Sequence, residues 1–324
     1  MRTTRRLSLI SIALCAALAP ALAAAQTYPS RPIRLITPFA AGGPSDNAAR
    51  AIGETLAKSL GQPVIVDSRP GADGAIAGQA VATAAPDGHT LLWGTSSVIV
   101  GAPLLQKPAP YDALAGFTPI AVVGRFTYTL AVHPDVPART VAELIDYAKL
   151  NPDKLNFGTG TLTEYMAAVQ FMKATGVKLT RVPYKGGAQV MQDLIAGRVH
   201  MHFGPISLHQ PQAKDGKLRL LANLQSERSP SAPDVPTLAE AGVRGVDAPT
   251  WQAVFAPPKT PREITDVLAR ELRRATQDPA LRAAFERQTV QVEAQPGPEG
   301  LAATLRQDLS QWEQFIRENG ITQP

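Results

Sequence analysis

The feature that most constrains the fold is an apolar run, a glycine-bearing turn and an amphipathic helix in succession. In residues 33–60 the run is broken by Pro38, two glycines follow, and apolar residues then recur every four positions. This order predicts a strand, a turn and a helix that opens at Pro44 or Ser45 and ends before Gly61. The same order recurs at residues 156–174 and 178–196. Repeated units of this kind indicate a parallel sheet with helices on its faces.

The first turn is predicted to be the N-terminus of a helix with unpaired backbone N–H groups. Such a terminus binds anions, because its N–H donors point outward and its glycines let a ligand approach the backbone. The alternative is a tight turn that is capped by its own side chains. The residues assigned to ligand binding here are Phe39, Ala40, Ala41, Gly42, Gly43 and Asp46.

Further candidates lie where other predicted strands end, since ligands bind at the carboxyl edge of parallel strands. For the hydroxyl residues, the alternative is that they cap the next helix. The turns offer N–H groups and hydroxyls but few charges, which suits a small carboxylate. Glycine spacings typical of phosphate loops and dinucleotide sites are absent from the sequence, and this disfavours nucleotides. The candidates are Thr95, Ser96, Thr159, Gly160, Thr161, Gly186, Gly187 and Ala188.

Asp46 is unusual in a carboxylate site, because like charges repel and no cation is apparent nearby in the sequence. We expect it to act through the loop and the helix N-terminus, or to meet an amino or amide group on the ligand.

The chain begins with a predicted secretory signal peptide, residues 1–25. A basic start is followed by an apolar run and by three alanines before Gln26. Its removal lowers the formal charge from +5 to +2, because Arg2, Arg5 and Arg6 leave with it. Cys15 leaves as well, so the mature chain has no thiol for catalysis or disulfides. No later run approaches the ~20 apolar residues of a membrane span.

Enzymatic and metal sites have weak support in the sequence. His200 and His202 alternate along a predicted strand and His209 follows, but a zinc site needs a third ligand placed by the fold. Solvent-facing or hydrogen-bonded histidines are the favoured interpretation. The nucleophile motif Gly-x-Ser-x-Gly is incomplete after Gly94. We therefore predict no catalytic residues, no metal and no cofactor.

The length favours two domains. Apolar strands at residues 120–123 and 251–256 are predicted to cross between two lobes, with the ligand in the cleft. The first lobe is assigned to residues 26–122 and 250–324, and the second to residues 123–249. Capping signals at Thr237 and Thr260 predict two further helix starts.

Several motifs, in order along the chain, carry a family resemblance. They include Tyr-Pro-Ser-Arg-Pro-Ile at 28–33, Pro-Phe-Ala-Ala-Gly-Gly-Pro-Ser-Asp at 38–46, Val-Pro-Tyr-Lys-Gly at 182–186 and Asp-Val-Pro-Thr-Leu-Ala-Glu-Ala-Gly at 234–242. The chain resembles the substrate-binding proteins of tripartite tricarboxylate transporters, the Bug-type receptors. It departs from many relatives at residues 160–164, at 187–189 and at Phe203-Gly204, all in the second lobe.

The resemblance implies an α/β fold of the type II periplasmic binding protein, a two-lobed Venus flytrap. Two parallel or mixed sheets flanked by helices would be joined by two crossover strands. It also implies a periplasmic monomer that is not an enzyme, that captures a small organic carboxylate for membrane permease subunits and that binds no nucleic acid. The rival function is a secreted hydrolase or lyase acting on a small carboxylate with the same fold.

Overall fold

The computed structural model describes residues 28–294 and 297–321, so the predicted signal peptide lies outside the described residues. The strands are β1 (Ile33–Thr37), β2 (Val64–Ser68), β3 (Thr90–Thr95), β4 (Thr118–Phe126), β5 (Tyr128–Val132), β6 (Asn156–Thr159), β7 (Thr180–Pro183), β8 (Met201–Pro205), β9 (Arg219–Asn223), β10 (Trp251–Ala256) and β11 (Val290–Val292).

The helices lie between these strands and in the C-terminal part of the chain. They are α1 (Pro44–Leu60), α2 (Ala75–Ala82), α3 (Ala102–Leu105), α4 (Val141–Leu150), α5 (Leu162–Thr175), α6 (Gly187–Ile195), α7 (Ile206–Lys214), α8 (Arg262–Ala275), α9 (Pro279–Arg287) and α10 (Pro298–Asn319). A short 3₁₀ turn, Ala72–Gly74, precedes α2, and a π-helical turn, Ser97–Gly101, leads from β3 into α3.

Helix α1 forms where the sequence predicts it. Pro44 occupies the first turn, where its missing N–H costs nothing, and Asp46 places a negative charge near the positive end of the helix dipole. Gly61 ends the helix in the left-handed conformation, at φ 67°, and its N–H donates to Ala57 O. Ile52 and Leu56 are buried, so the apolar stripe faces the protein interior.

Two mixed sheets make up the fold. The first has the order β11-β4-β10-β3-β1-β2 and the second the order β7-β6-β8-β5-β9. In the first sheet β1 runs parallel to β2 and β3, while β10 is antiparallel to both β3 and β4. In the second sheet β6 is parallel to β7 and β8, and β5 is antiparallel to β8 and β9. The predicted fold class, with two sheets and two crossover strands, is confirmed.

The two sheets define the two lobes, and β4 and β10 are the strands at the crossings. The chain leaves the first sheet after Phe126, enters the second at Tyr128 and returns to the first at Trp251. At this point Phe126 N–H donates to Thr250 O at 3.1 Å, and the Thr250 hydroxyl donates to Phe126 O at 2.5 Å. The two segments that connect the lobes are therefore hydrogen-bonded to each other. The lobe boundaries at residues 122 and 249 stay a prediction.

The parallel strands of both sheets end towards the same cleft. Thr37 and Thr95 end β1 and β3, while Thr159 and Pro205 end β6 and β8. The helices that follow these strands begin at the edge where the strands end. This arrangement places several helix N-termini between the lobes.

Candidate functional site

A cavity of about 630 Å³, counting the solvent at its mouth, lies between the lobes. The sequence-predicted residues that line it are Phe39, Ala40, Gly43, Thr95, Ser96, Thr161, Gly186, Gly187 and Ala188. Lining residues that the sequence analysis did not select include Ser45, Ser97, Tyr128, Thr163, Glu164, Gln189, Leu208 and Gln252.

The other five predicted residues do not line this cavity. Ala41 and Gly42 are exposed at the outer side of the first turn. Asp46 is buried under the first turn. Thr159 is buried at the end of β6 in the second lobe, where its Oγ1 accepts a hydrogen bond from Arg181 Nε at 2.9 Å. Gly160 is buried against the backbone of the turn at Gly186. These five residues shape the turns from outside the cavity.

The N-terminus of α1 is the first-lobe contribution to the cavity. Gly43 is the N-cap and offers no side chain to the helix. In residues 28–294 and 297–321, the N–H groups of Gly43 and Ser45 have no hydrogen-bond acceptor. The Ser45 hydroxyl donates to Gln252 Oε1 at 3.0 Å, and Trp93 Nε1 donates to that same oxygen at 2.9 Å. The end of the helix is thus held by buried side chains while its N–H groups stay available.

The buried carboxylate of Asp46 stabilises this turn by hydrogen bonds. Its carboxylate accepts hydrogen bonds from the Gly42 N–H at 3.0 Å, from the Ser68 hydroxyl at 2.9 Å and from Arg50 Nε at 2.8 Å. Burial acts to raise the pKa of Asp46, but the hydrogen bonds from Arg50, Gly42 and Ser68 and the charge of Arg50 outweigh it and hold the pKa below its ordinary value. The expectation that no cation lies nearby was wrong, because Arg50 is one helical turn further on.

The N-terminus of α6 is the matching contribution from the second lobe. Gly186 is the N-cap and again provides no side-chain acceptor. Within the described residues, the N–H groups of Gly187 and Ala188 donate to no protein atom. A Cβ atom on Gly186 would lie 3.9 Å from Ala40 N, so the turns of the two lobes face each other closely.

The N-terminus of α5 is occupied by its own chain. Thr161 Oγ1 accepts from the Glu164 N–H at 3.1 Å, and Glu164 Oε2 accepts from the N–H groups of Gly160 at 2.5 Å and Thr161 at 3.2 Å. This is a capping box. We expected the turn at Gly160 and Thr161 to present unpaired N–H groups to a ligand. This expectation was wrong, because Glu164 accepts hydrogen bonds from both N–H groups.

The three histidines singled out from the sequence have hydrogen-bond partners. His200 Nδ1 lies 2.7 Å from Asn156 Oδ1. His202 Nδ1 lies 2.8 Å from His209 Nε2, and His209 Nδ1 lies 2.7 Å from Thr129 Oγ1. His202 and His209 are fully buried. Burial, and to a smaller extent the neighbouring His202, lowers the pKa of His209 well below its ordinary value.

The lobes are in contact across the cleft. Leu162 N–H donates to Ser97 Oγ at 2.9 Å, and the hydroxyls of Ser96 and Thr163 lie 2.9 Å apart. The Leu162 side chain is fully buried in the same cluster as Trp312. The first turn of α5 is thus docked onto the first lobe, and the structure is the closed form of the two-lobed fold.

Within the residues that the structure describes, no three His, Cys, Asp or Glu side chains are grouped so that they could hold a metal ion. No helix in those same ranges has the length and apolarity that crossing a membrane requires.

Comparison with known proteins identifies the family. The model of the family described as "Tripartite tricarboxylate transporter family receptor" matches residues 48–321. The chain belongs to this receptor family. A UPF0065 protein of Bordetella bronchiseptica is 38% identical over 319 residues, which cover 98% of this chain and 93% of the relative.

Three solved structures are similar to this receptor. The periplasmic binding protein BugD is 32% identical with a TM-score of 0.86, covering 92% of this chain and 100% of its own. MatC from Rhodopseudomonas palustris, solved with malate, is 32% identical with a TM-score of 0.85, covering 89% of this chain and 100% of its own. A second R. palustris protein, solved with adipate, is 32% identical with a TM-score of 0.86, covering 91% of this chain and 99% of its own. The receptor family is periplasmic.

Proposed function

We propose that this receptor binds a small organic dicarboxylate in the cavity between its lobes, does not change it chemically, and delivers it to the membrane permease of a tripartite transporter. The mature protein acts as a periplasmic monomer after removal of residues 1–25. It binds no nucleic acid.

The observation that carries this proposal is the pair of uncapped helix N-termini, one from each lobe. Helix α1 presents the N–H groups of Gly43 and Ser45, and α6 presents those of Gly187 and Ala188. Each N-terminus carries the positive end of a helix dipole. Each therefore suits one negatively charged group, and two such sites on opposite walls suit a molecule with a carboxylate at both ends.

The other residues that line the cavity support binding of a carboxylate by uncharged hydrogen-bond donors. Among the residues that line the cavity, Glu164 is the charged one, and the others offer hydroxyls, amides or apolar surface. A carboxylate would be bound through N–H and hydroxyl donors, as the residues selected from the sequence predict. The malate and adipate in two similar structures are dicarboxylates of different length, and this agrees with the proposal.

The arrangement of the hydroxyls and histidines favours binding over catalysis. Ser96 is engaged by Pro249 O and Thr163, and Ser97 by the Leu162 N–H. None of the residues that line the cavity is a histidine, so an imidazole base is not within reach of these hydroxyls there. The secreted hydrolase or lyase is the less favoured function for this reason.

A proline substitution tests the proposal at one N–H group. Gly187 is the first residue of α6, a position that accepts proline and where the helix does not use the N–H. A Cβ there would lie 2.8 Å from Leu208 Cδ1, the end of a flexible side chain that must shift in both variants named below. Gly187→Pro should therefore keep the fold but weaken dicarboxylate binding about tenfold or more, because it removes a donor to a charged group. Gly187→Ala is the matched control, since it retains the N–H.

The ligand panel for this test is succinate, malate, glutarate and adipate, titrated by isothermal calorimetry. Native mass spectrometry of protein purified without denaturation should also show a retained small acid. If none of the acids binds and none is retained, or if Gly187→Pro binds them as tightly as Gly187→Ala does, the proposed function or its mode of binding is wrong.

A further inference from the structure

Glu164 is a buried carboxylate in the wall of the cavity. Only 2% of its surface is exposed, and it contributes the negative charge among the lining residues. In a site for an anion, such a group repels the ligand unless something on the ligand complements it. Its two oxygens have different surroundings.

Oxygen Oε2 is surrounded by donors from the protein. The N–H groups of Gly160 and Thr161 donate to it at 2.5 Å and 3.2 Å. His202 Nε2 lies 3.2 Å away, off the line of a good hydrogen bond. Oxygen Oε1 accepts no hydrogen bond from any residue in 28–294 or 297–321.

The groups behind Glu164 fix its orientation. His202 and His209 are linked to each other at 2.8 Å, and His209 is linked to Thr129 at 2.7 Å. At the other end of this chain His202 Nε2 faces Glu164 Oε2 at 3.2 Å, without the geometry of a good hydrogen bond. Because these side chains are fully buried, Glu164 cannot turn Oε2 away without leaving donors unpaired.

Oε1 is the oxygen of this carboxylate that receives no donor from the described residues, and a ligand in the cavity can supply one. We propose that Glu164 Oε1 accepts a hydrogen bond from the ligand and so selects carboxylates that carry an ammonium or a hydroxyl group between their two ends. This inference rests on the proposed function. An ammonium group is preferred to a hydroxyl, because it also neutralises the Glu164 charge.

Acids with one carbon skeleton test this selection. Succinate, malate and aspartate differ at one carbon, which carries hydrogen, a hydroxyl or an ammonium group, and glutarate, 2-hydroxyglutarate and glutamate repeat the series with one more methylene. Calorimetric titration of the full mature chain should show affinity increasing in that order within each series. Aspartate or glutamate should bind at least about tenfold more tightly than the unsubstituted acid, the weight of a hydrogen bond to a charged group.

The variant Glu164→Gln separates selection from folding. Glutamine also completes a capping box. Its amide oxygen is directed to the position of Oε2, where the N–H groups of Gly160 and Thr161 donate, so its NH₂ group takes the position of Oε1. The variant should lose the preference for ammonium and hydroxyl groups and bind the unsubstituted acids as tightly as the wild type or more so.

Glu143→Gln is the matched control. Glu143 is likewise the third residue of its helix, at the exposed start of α4, where its carboxylate accepts from the Arg139 N–H at 2.5 Å, and it does not line the cavity. Its selectivity should equal that of the wild type.

Two outcomes overturn the inference, and they are distinguishable. If the acids bind but substituted and unsubstituted ones do so equally, or if Glu164→Gln weakens all of them by the same factor, the selection by Glu164 is wrong while the proposed function stands. If none of the six acids binds to the folded wild-type chain, the proposed function fails and the inference fails with it.

Discussion

Replacing Gly160 by alanine should damage the cavity although Gly160 does not line it. An added Cβ would lie 2.4 Å from Gly186 C and 2.6 Å from Gly187 N. Favourable contacts between such atoms lie near 3.5 to 4.0 Å, so the turn before α6 must move by about 1 Å. The obstacle is backbone, which cannot rotate away as a side chain would. We expect Gly160→Ala to lower the free energy of unfolding by about 1–3 kcal/mol, as other cases of overpacking do.

The same displacement should weaken ligand binding. It moves the N–H groups of Gly187 and Ala188, which are proposed to bind one ligand carboxylate. A hydrogen bond to a charged group contributes about 1.5–3 kcal/mol, and each 1.4 kcal/mol is a factor of about ten in affinity. The dissociation constant should therefore rise roughly tenfold to a hundredfold.

Calorimetric titration with the tightest-binding acid and thermal unfolding measure the two effects. The control is Gly186→Ala, because Gly186 has an extended backbone at φ 163° and an added Cβ would meet its nearest atoms at 3.9 Å and 4.0 Å. It should remain near the wild type in both assays. A Gly160→Ala protein that unfolds and binds like the wild type would refute the close contact between these turns.

Three other substitutions test the remaining contacts. Asp46→Asn should lower the free energy of unfolding by about 1–3 kcal/mol, because the buried donors around it lose a charged acceptor, yet leave dicarboxylate affinity within about twofold by calorimetry. Ser97→Ala removes the acceptor for the Leu162 N–H across the cleft, so small-angle scattering of the ligand-free protein should give a larger radius of gyration; an unchanged value contradicts this role. Burial lowers the pKa of His209, so the unfolded chain binds a proton that the folded chain does not. The free energy of unfolding should then fall as the pH drops below about 6.5, by up to about 1.4 kcal/mol per pH unit for this group, and urea titrations should show a shallower fall for His209→Gln.

Local patterns predicted much of the fold correctly. The strands at residues 128–132, 156–159 and 251–256 form with the predicted bounds. Helix α1 begins at Pro44 and ends before Gly61, as the proline and glycine signals indicate. These features depend on backbone preferences of neighbouring residues, and such preferences are visible in a single sequence.

One capping signal gave no helix, and a second gave the predicted helix with its N-cap shifted by one residue. Thr237 and Glu240 form both hydrogen bonds of a capping box, at 3.1 Å and 2.7 Å, but the chain continues in turns rather than in a helix. Thr260 donates to Pro257 O at 2.8 Å, and α8 begins two residues later with Pro261 as its N-cap. A capping motif fixes a turn, and the packing of the following residues decides whether a helix continues.

Whether a contact in the site could be predicted depends on how far apart its two residues lie in the sequence. The pairing of Asp46 with Arg50, and the capping box of Thr161 with Glu164, have recognisable spacings of four and three residues, and a systematic search for these spacings would have found both. The bond from Ser45 to Gln252 joins residues 207 positions apart. It depends on β10 lying in the first sheet, which no local pattern specifies.

The position of β10 also governs the order in which the two lobes can be completed during synthesis. In the first sheet β10 separates the β2-β1-β3 group from β4 and β11, and it is hydrogen-bonded to both sides. The strands of the second sheet all come from residues 128–223, so that sheet can be assembled from an uninterrupted stretch of chain. The first sheet stays in two separate pieces until Trp251 and the five residues after it have emerged. The sheet of the lobe that begins the chain is therefore the last to be completed. The strands of the N-terminal part stay without their β10 partner until nearly four-fifths of the chain has been made.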